Sequence, residues 1–194
     1  MHLIGCMVDS KSFAQRVQEA ADRLVENGVD ALGALFDLTS QRLVRLAVTL
    51  TRNQYDAEDA VQSALVRVAT EPKLLSTATC PWAYLLQMVR NESLSLGRKK
   101  QRWTTAVGVT DLVTVCLVDE LEAEETHRAV WTALRALPGE QAEVVVLKIW
   151  EEMTFAQIGQ ILQVSPNTVA SRYQYAMTKL SQSLSKQHRE ARHD

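Results

Sequence analysis

Cysteine is scarce and poorly spaced for chemistry. The chain has three, Cys6, Cys80 and Cys116, far apart and in no CxxC or His-rich arrangement. That argues against both a disulfide framework and a zinc site and leaves ordinary buried or semi-buried thiols. The histidines His2, His127, His188 and His193 are scattered, and no Gly-rich phosphate loop, GxSxG, HExxH or EF-hand spacing occurs. The chemistry those motifs serve therefore has no carrier here. Long apolar runs are also missing: nothing approaches the roughly 18 consecutive apolar residues of a membrane span. Met1 to Val8 lacks the basic start and the apolar length of a signal peptide. The expectation is a cytoplasmic, non-enzymatic protein with no metal, no cofactor and no membrane insertion.

What is present suffices for packed cores. Of 194 residues, 46% are hydrophobic and 23% charged, the proportions of a globular protein rather than a disordered one. The length accommodates one medium domain or two small ones. The net charge of -2 argues against a protein that coats nucleic acid indiscriminately, but it conceals segregation of sign. Arg90 to Arg102 carries a net +4, Trp103 to His127 a net -6, and Ser165 to the end a net +3. Two basic surfaces are separated by an acidic connector.

Helical periodicity dominates. The pattern predicts helices over Ser12–Asn27, with Phe13, Val17, Ala20, Ala21 and Leu24 on one face, and over Leu32–Leu50, with Leu35, Leu38, Leu43, Leu46 and Leu50 inward. A third runs from Asp56 to Thr70, and a fourth from Pro81 to about Arg102, with proline in the first turn where its missing N–H costs nothing. Val107 to Val118 is β-branched but isolated, and reads as linker. Beyond it, helices are predicted over Glu124–Leu137 and Glu140–Trp150. Thr154-Phe-Ala-Gln157 then has capping-box spacing, opening a short helix with Phe155, Ile158, Ile161 and Leu162. Ser165-Pro166 opens the last helix, through roughly Leu184. Two helices joined by the tight turn Gln163-Val164-Ser165 form a helix-turn-helix. The fold class is all-α, two helical domains over 11–103 and 124–185, joined by a flexible acidic linker, 104–123.

In a helix-turn-helix the second helix lies in the major groove and its N-terminal residues reach base edges. Those residues are Asn167, Thr168, Ser171 and Arg172, while Val169, Tyr173, Ala176 and Leu180 face inward. Asn and Arg suit bidentate contacts with adenine and guanine; a plain helical hairpin with a solvated polar face is the alternative. Asp56, Glu58 and Asp59 place three carboxylates near a helix N-terminus, where the macrodipole favours them without any function. Gln62, Ser63 and Arg67 extend that polar face, so it is either a docking surface for a basic partner helix or simply solvated. The fourth helix combines Trp82, Tyr84 and Trp103 with Asn91 and the basic run Arg98-Lys99-Lys100-Gln101-Arg102. Aromatics beside a basic track are what single-stranded nucleic acid binding requires, although aromatics at helical spacing also serve as core.

Taken together these segments resemble the extracytoplasmic-function (ECF) group of sigma-70 family RNA polymerase sigma factors. "LFDLTSQRLVRLAVTLTRNQYDAEDAVQSALVRV" is similar to the family's first conserved region. "YLLQMVRNESLSLGRKKQR" is similar to its minus-ten recognition helix, and "LPGEQAEVVVLKIWEEMTFAQIGQILQVSPNTVASRYQYAMTKL" to its minus-thirty-five helix-turn-helix. The ordered combination is more specific than any one match. The resemblance implies a core-polymerase face at Asp56, Glu58, Asp59, Gln62 and Arg67. It implies minus-ten contacts from Tyr84, Asn91, Arg98, Lys99, Lys100 and Arg102, with Asn91 near the pocket for a flipped-out base. Minus-thirty-five contacts fall to Asn167, Thr168, Ser171, Arg172, Tyr175 and Lys179. The implied partners are bacterial core RNA polymerase, promoter DNA and, as for many family members, an anti-sigma protein. Two other readings stay open: a sigma-like regulator that no longer directs initiation, and a dimeric helix-turn-helix repressor.

Overall fold

The computed structural model describes residues 12–107 and 125–190, with side chains described over 12–100 and 129–185. Most of the predicted linker, including the stretch from residue 108, lies outside the described residues, as do Cys6 and Cys116. Among the described residues every regular element is helical.

α1 spans Phe13–Asn27. It starts where it does because Ser12 and Gln15 close a reciprocal capping box, each side chain meeting the other's backbone N–H, which satisfies two donors that a helix start leaves without partners. It ends at Gly28, whose φ of +62° is costly for a residue with a Cβ. A single 3₁₀ turn, Gly28–Ala31, leads into α2, Leu32–Thr51. α3 spans Gln54–Thr70, begun by Asn53, whose side-chain oxygen accepts the Asp56 N–H. A short α4, Lys73–Ser76, and then the long α5, Pro81–Val107, complete the first bundle.

α2 is the central element of that bundle, packing against α1, α3 and α5. Leu35, Leu43 and Leu46 on it are wholly buried, as are Val17 and Leu24 of α1, Val68 of α3 and Leu85, Leu86 and Val89 of α5. The hydroxyls this core encloses are satisfied locally: Thr39 and Ser93 each donate to the carbonyl four residues back. Leu38 and Leu50 lie at the margin, half-buried.

The second bundle comprises α6, Glu125–Arg135; α7, Gly139–Ile149; α8, Phe155–Leu162; and α9, Pro166–Glu190. α8 opens on the Thr154–Gln157 capping box. It closes on Gln163 in the left-handed region, φ 57°. Gly159 permits this turn, since a Cβ there would come within 2.8 Å of the Val164 carbonyl oxygen. Of the residues expected inward on α9, Val169, Ala176 and Leu180 are buried, and Tyr173 is half-buried with its ring 5.7 Å from Phe155.

α7 departs from an ordinary amphipathic helix, because every residue from Ala142 to Leu147 is buried. A helix apolar on all sides needs neighbours on all sides. α9 and α8 supply one wall, and α2 of the first bundle supplies the other. The two bundles are thus in contact.

Candidate nucleic-acid and polymerase interface

The polar face of α3 is exposed as its periodicity requires. Glu58, Asp59, Gln62 and Arg67 are exposed and Asp56 is half-buried, while Ala57, Ala60, Val61 and Ala64 turn inward. Gln54 donates to Glu58 at 2.6 Å. Asp56 reaches across to Lys100 of α5 at 3.4 Å, joining the acidic face to the basic run.

On α5, Asn91, Arg98, Lys99 and Lys100 are exposed; the Arg102 and Trp103 side chains lie outside the described residues. The two aromatics near its start behave differently from each other. Trp82 is core, 4% exposed, with Phe13 edge-on at 4.9 Å. Tyr84 is half-buried and lines a cleft of about 470 Å³ with Leu74, Thr77, Cys80 and Gln87, whose far wall is Gln160 and Ile161 of α8. Of these two, Tyr84 alone presents its ring outside the core, and α8 of the second bundle stands over it.

On α9, Asn167, Thr168, Ser171, Tyr175 and Lys179 are exposed, Tyr175 at 66%. Ser165 caps the helix by accepting the Thr168 N–H at 3.1 Å, and its hydroxyl bonds that of Thr168 at 2.9 Å. Ser171 donates back to the Asn167 carbonyl. Arg172 is less available than its neighbours: its guanidinium lies 2.6 Å from Glu140 of α7.

Sequence reasoning missed the seam between the bundles, which is built from arginines of the first and glutamates of the second. Arg90, adjacent to Asn91, makes two hydrogen bonds to Glu143 of α7, at 2.8 and 3.3 Å. Arg42 of α2 bonds Glu151 at 3.1 Å and lies over the Phe13 ring at 3.8 Å. Arg45 sits 6.0 Å from the Trp150 ring, itself stacked on Trp131. Arg52 donates to the Leu137 carbonyl at 3.1 Å. Burial pushes the Glu143 carboxyl above its usual range, against the pull of Arg90 and Arg172, and does the same to Glu151 against Arg42 and Arg45. One signal for the seam was legible: the Val144-Val145-Val146-Leu147 run is too apolar all round for a helix with a solvated face.

Among the described residues no helix is long and apolar enough to cross a membrane, and no cluster has the makings of a metal site.

The family models agree with this architecture in order and extent: Sigma-70 region 2 matches residues 35–103, and Sigma-70, region 4 matches residues 127–180. Together they define a two-region sigma factor. The ECF RNA polymerase sigma factor SigL of Mycobacterium tuberculosis is 31% identical over 155 residues, 78% of this chain and 87% of that protein. The sigma factor RpoE of Bartonella quintana, solved in complex with the anti-sigma factor NepR, shares the fold with a TM-score of 0.72 at 22% identity, covering 81% of this chain and 98% of that one. CnrH, solved with the cytosolic domain of CnrY, gives a TM-score of 0.62 at 20% identity over 88% and 98%. The chain belongs to the ECF RNA polymerase sigma factor family.

Proposed function

We propose that this sigma factor docks on core RNA polymerase through α3 and reads the minus-ten element with α5 and the minus-thirty-five element with the start of α9. It acts in the cytoplasm as a non-catalytic subunit, leaving bond formation to the polymerase. Residues 11–103 form the polymerase-binding and minus-ten unit, 104–123 the connector, and 124–185 the minus-thirty-five unit. Asp56, Glu58, Asp59, Gln62 and Arg67 meet a basic helix of the polymerase. Asn91 hydrogen-bonds a flipped minus-ten base beside Tyr84, and Arg98, Lys99, Lys100 and Arg102 hold the backbone. Asn167, Thr168, Ser171, Arg172, Tyr175 and Lys179 read or grip the minus-thirty-five duplex. An anti-sigma protein is the expected inhibitor, in line with the solved complex of RpoE with NepR.

The observation that carries this reading is that the polar residues of α3, the basic end of α5 and the start of α9 are exposed on faces opposite the buried ones. No core needs them. Run-off transcription with purified core polymerase tests it: the parent chain supports initiation, and reversing Asp56, Glu58 and Asp59 to lysine abolishes core binding. Exposed pairs contribute only about 0–1 kcal/mol each, so the three are reversed together. Unaltered core affinity in that variant rejects the α3 assignment. A chain that binds promoter duplex tightly without polymerase and supports no run-off is a repressor instead.

A further inference from the structure

We infer that Tyr55 and Val66 of α3 are the apolar anchors of the polymerase contact, seated in two apolar pockets of the basic partner surface with Asp59 and Gln62 between them. The inference rests on the functional reading above, which places charged and polar side chains on this face but no apolar one.

α3 turns one face wholly inward: Ala57, Ala60, Val61, Ala64, Leu65 and Val68 are buried. Tyr55 and Val66 point the other way, 69% and 63% exposed. Each stands two positions from a buried alanine, Ala57 or Ala64, and two positions on a helix are about 200° of rotation. They are therefore opposite the core rather than at its margin. From Tyr55 to Val66 the helix makes about three turns and rises roughly 16 Å, so both fall on one line along its crest. Asp59 and Gln62, both exposed, lie between them on that line. The order Tyr55, Asp59, Gln62, Val66 has the i, i+4, i+7, i+11 spacing of a helix laid into a groove. Asp56 is about 100° round the helix from Tyr55, where Lys100 meets it at 3.4 Å, so it flanks the crest.

The fold of the first bundle does not account for these two side chains. An aromatic and a β-branched residue are poorer helix formers than alanine, and on the crest they pack against none of the core. The other large apolar side chains that the described part of this bundle exposes, Val25, Val29 and Phe36, lie in or beside the turn from α1 to α2. Singly exposed apolar residues are ordinary; an aligned pair that brackets the polar centre of a binding face is not.

The charges of that face are too weak to hold a partner by themselves. Exposed ion pairs contribute little once side-chain entropy is counted, and physiological salt screens them beyond about 8 Å. Binding energy concentrates instead in a few aromatic and aliphatic side chains, ringed by polar groups that exclude water. A partner surface rich in lysine and arginine can receive both anchors, because the methylene stems of those residues are apolar and their cationic heads are drawn to the face of a tyrosine ring. The carboxylates then steer the encounter and the anchors hold the complex.

The test uses the full chain with Tyr55→Ala and Val66→Ala together, alanine being the better helix former. Fluorescence anisotropy with purified core polymerase gives affinity and dissociation rate at low and high salt, and thermal unfolding followed by circular dichroism reports the fold. The expected result is an about tenfold or greater loss of core affinity, carried by faster dissociation and similar at both salt concentrations, with an unfolding temperature at or above the parent's. The loss caused by Asp59→Lys, in contrast, shrinks as salt rises. Tyr55→Phe with Val66→Leu keeps most of the parental affinity, and so does Val29→Ala, a change at a side chain 65% exposed and away from α3. Parental affinity in the alanine pair, together with a loss on reversing Asp56, Glu58 and Asp59, overturns the anchors and leaves the α3 reading standing. Parental affinity in both variants overturns that reading and the anchors with it. A lowered unfolding temperature in the alanine pair, or an equal loss in Val29→Ala, also overturns the anchors, because the effect is then one of folding or of exposed apolar surface in general.

Discussion

The amino-terminal bundle, residues 12–107, and the carboxy-terminal bundle, residues 125–190, are both built on capped helices around aliphatic cores, yet they deploy their cations differently. In the first, Arg98, Lys99 and Lys100 stand exposed in a row on α5. In the second, Arg172 is held by Glu140, and Lys148 folds back onto the Met153 carbonyl at 3.0 Å with the Phe155 ring beneath it. Non-specific affinity for DNA comes chiefly from neutralising phosphates, and among the described cations of α9 Lys179 alone is exposed, so on the proposed reading the second bundle contributes little of it. It can still discriminate, because tethering to an anchored first bundle makes its contact intramolecular, and a weak contact then acts at high effective concentration. On the proposed reading the first bundle anchors and the second selects.

The largest effect that separates the two roles comes from their cores. Leu46 is wholly buried on α2, and Leu46→Ala is expected to destabilise the first bundle by about 2–5 kcal/mol. Thermal unfolding measures the loss, and core binding should fall with it. The complementary break is Gly159→Val in the second bundle. The new side chain meets the Val164 backbone oxygen, and overpacking of this kind costs about 1–3 kcal/mol. Promoters that depend on the minus-thirty-five element should lose transcription while core affinity stays parental. Loss of both activities together would erase the distinction between anchor and selector.

A finer test compares the readers. Asn91→Ala is expected to lower open-complex formation by about 1–3 kcal/mol without altering core binding, measured by permanganate footprinting against a set of minus-ten substitutions. Equal response across that set rejects Asn91 as a base reader. Arg172→Ala should act more mildly, shifting minus-thirty-five preference in the holoenzyme, since its contact is shared with Glu140 and supplemented by Asn167.

The smallest expected effect is that of pH on the seam. Burial raises the pKa of Glu143 and Glu151 in the folded chain, so that state binds protons more tightly than the unfolded one, in which both carboxyls are in water. Their contribution to folding is therefore greatest on the acid side. The advantage is lost as pH rises from the ordinary carboxyl value of 4.5 through the raised ones, and is constant above them. The groups facing Glu143 are Arg90, Arg172 and Glu140; those facing Glu151 are Arg42, Arg45 and Trp82. Thermal unfolding at a series of pH values should show this contribution falling as pH rises, and a gain instead would mean that the arginines outweigh desolvation.

Much of the fold was legible because its signals are local. Ser12, Asn53, Thr154 and Ser165 cap through their own side chains, and a cap depends on residues no more than three apart. The inward faces of α1, α2 and α9 follow the helical period, with Val17, Leu24, Leu43, Val169 and Ala176 all buried. The short α4 was missed because four residues after a proline carry no periodicity. Trp82 and Tyr84 were indistinguishable in the sequence, two positions apart on one helix. Packing alone sends the first against Phe13 and the second into the interdomain cleft.

The sequence by itself determined the long helices, their order, their division into two bundles and the polar faces of α3, α5 and α9, since each follows from spacing along a short stretch of chain. Only the tertiary structure decided what Arg42, Arg52, Arg90, Glu143 and Glu151 do. The paired charges lie 53 residues apart for Arg90 and Glu143 and 109 for Arg42 and Glu151, and local periodicity marks each merely as a charged side chain. What turns them into a seam is burial: two bundles must meet before a glutamate loses its water, and only then does it require an arginine from the other side.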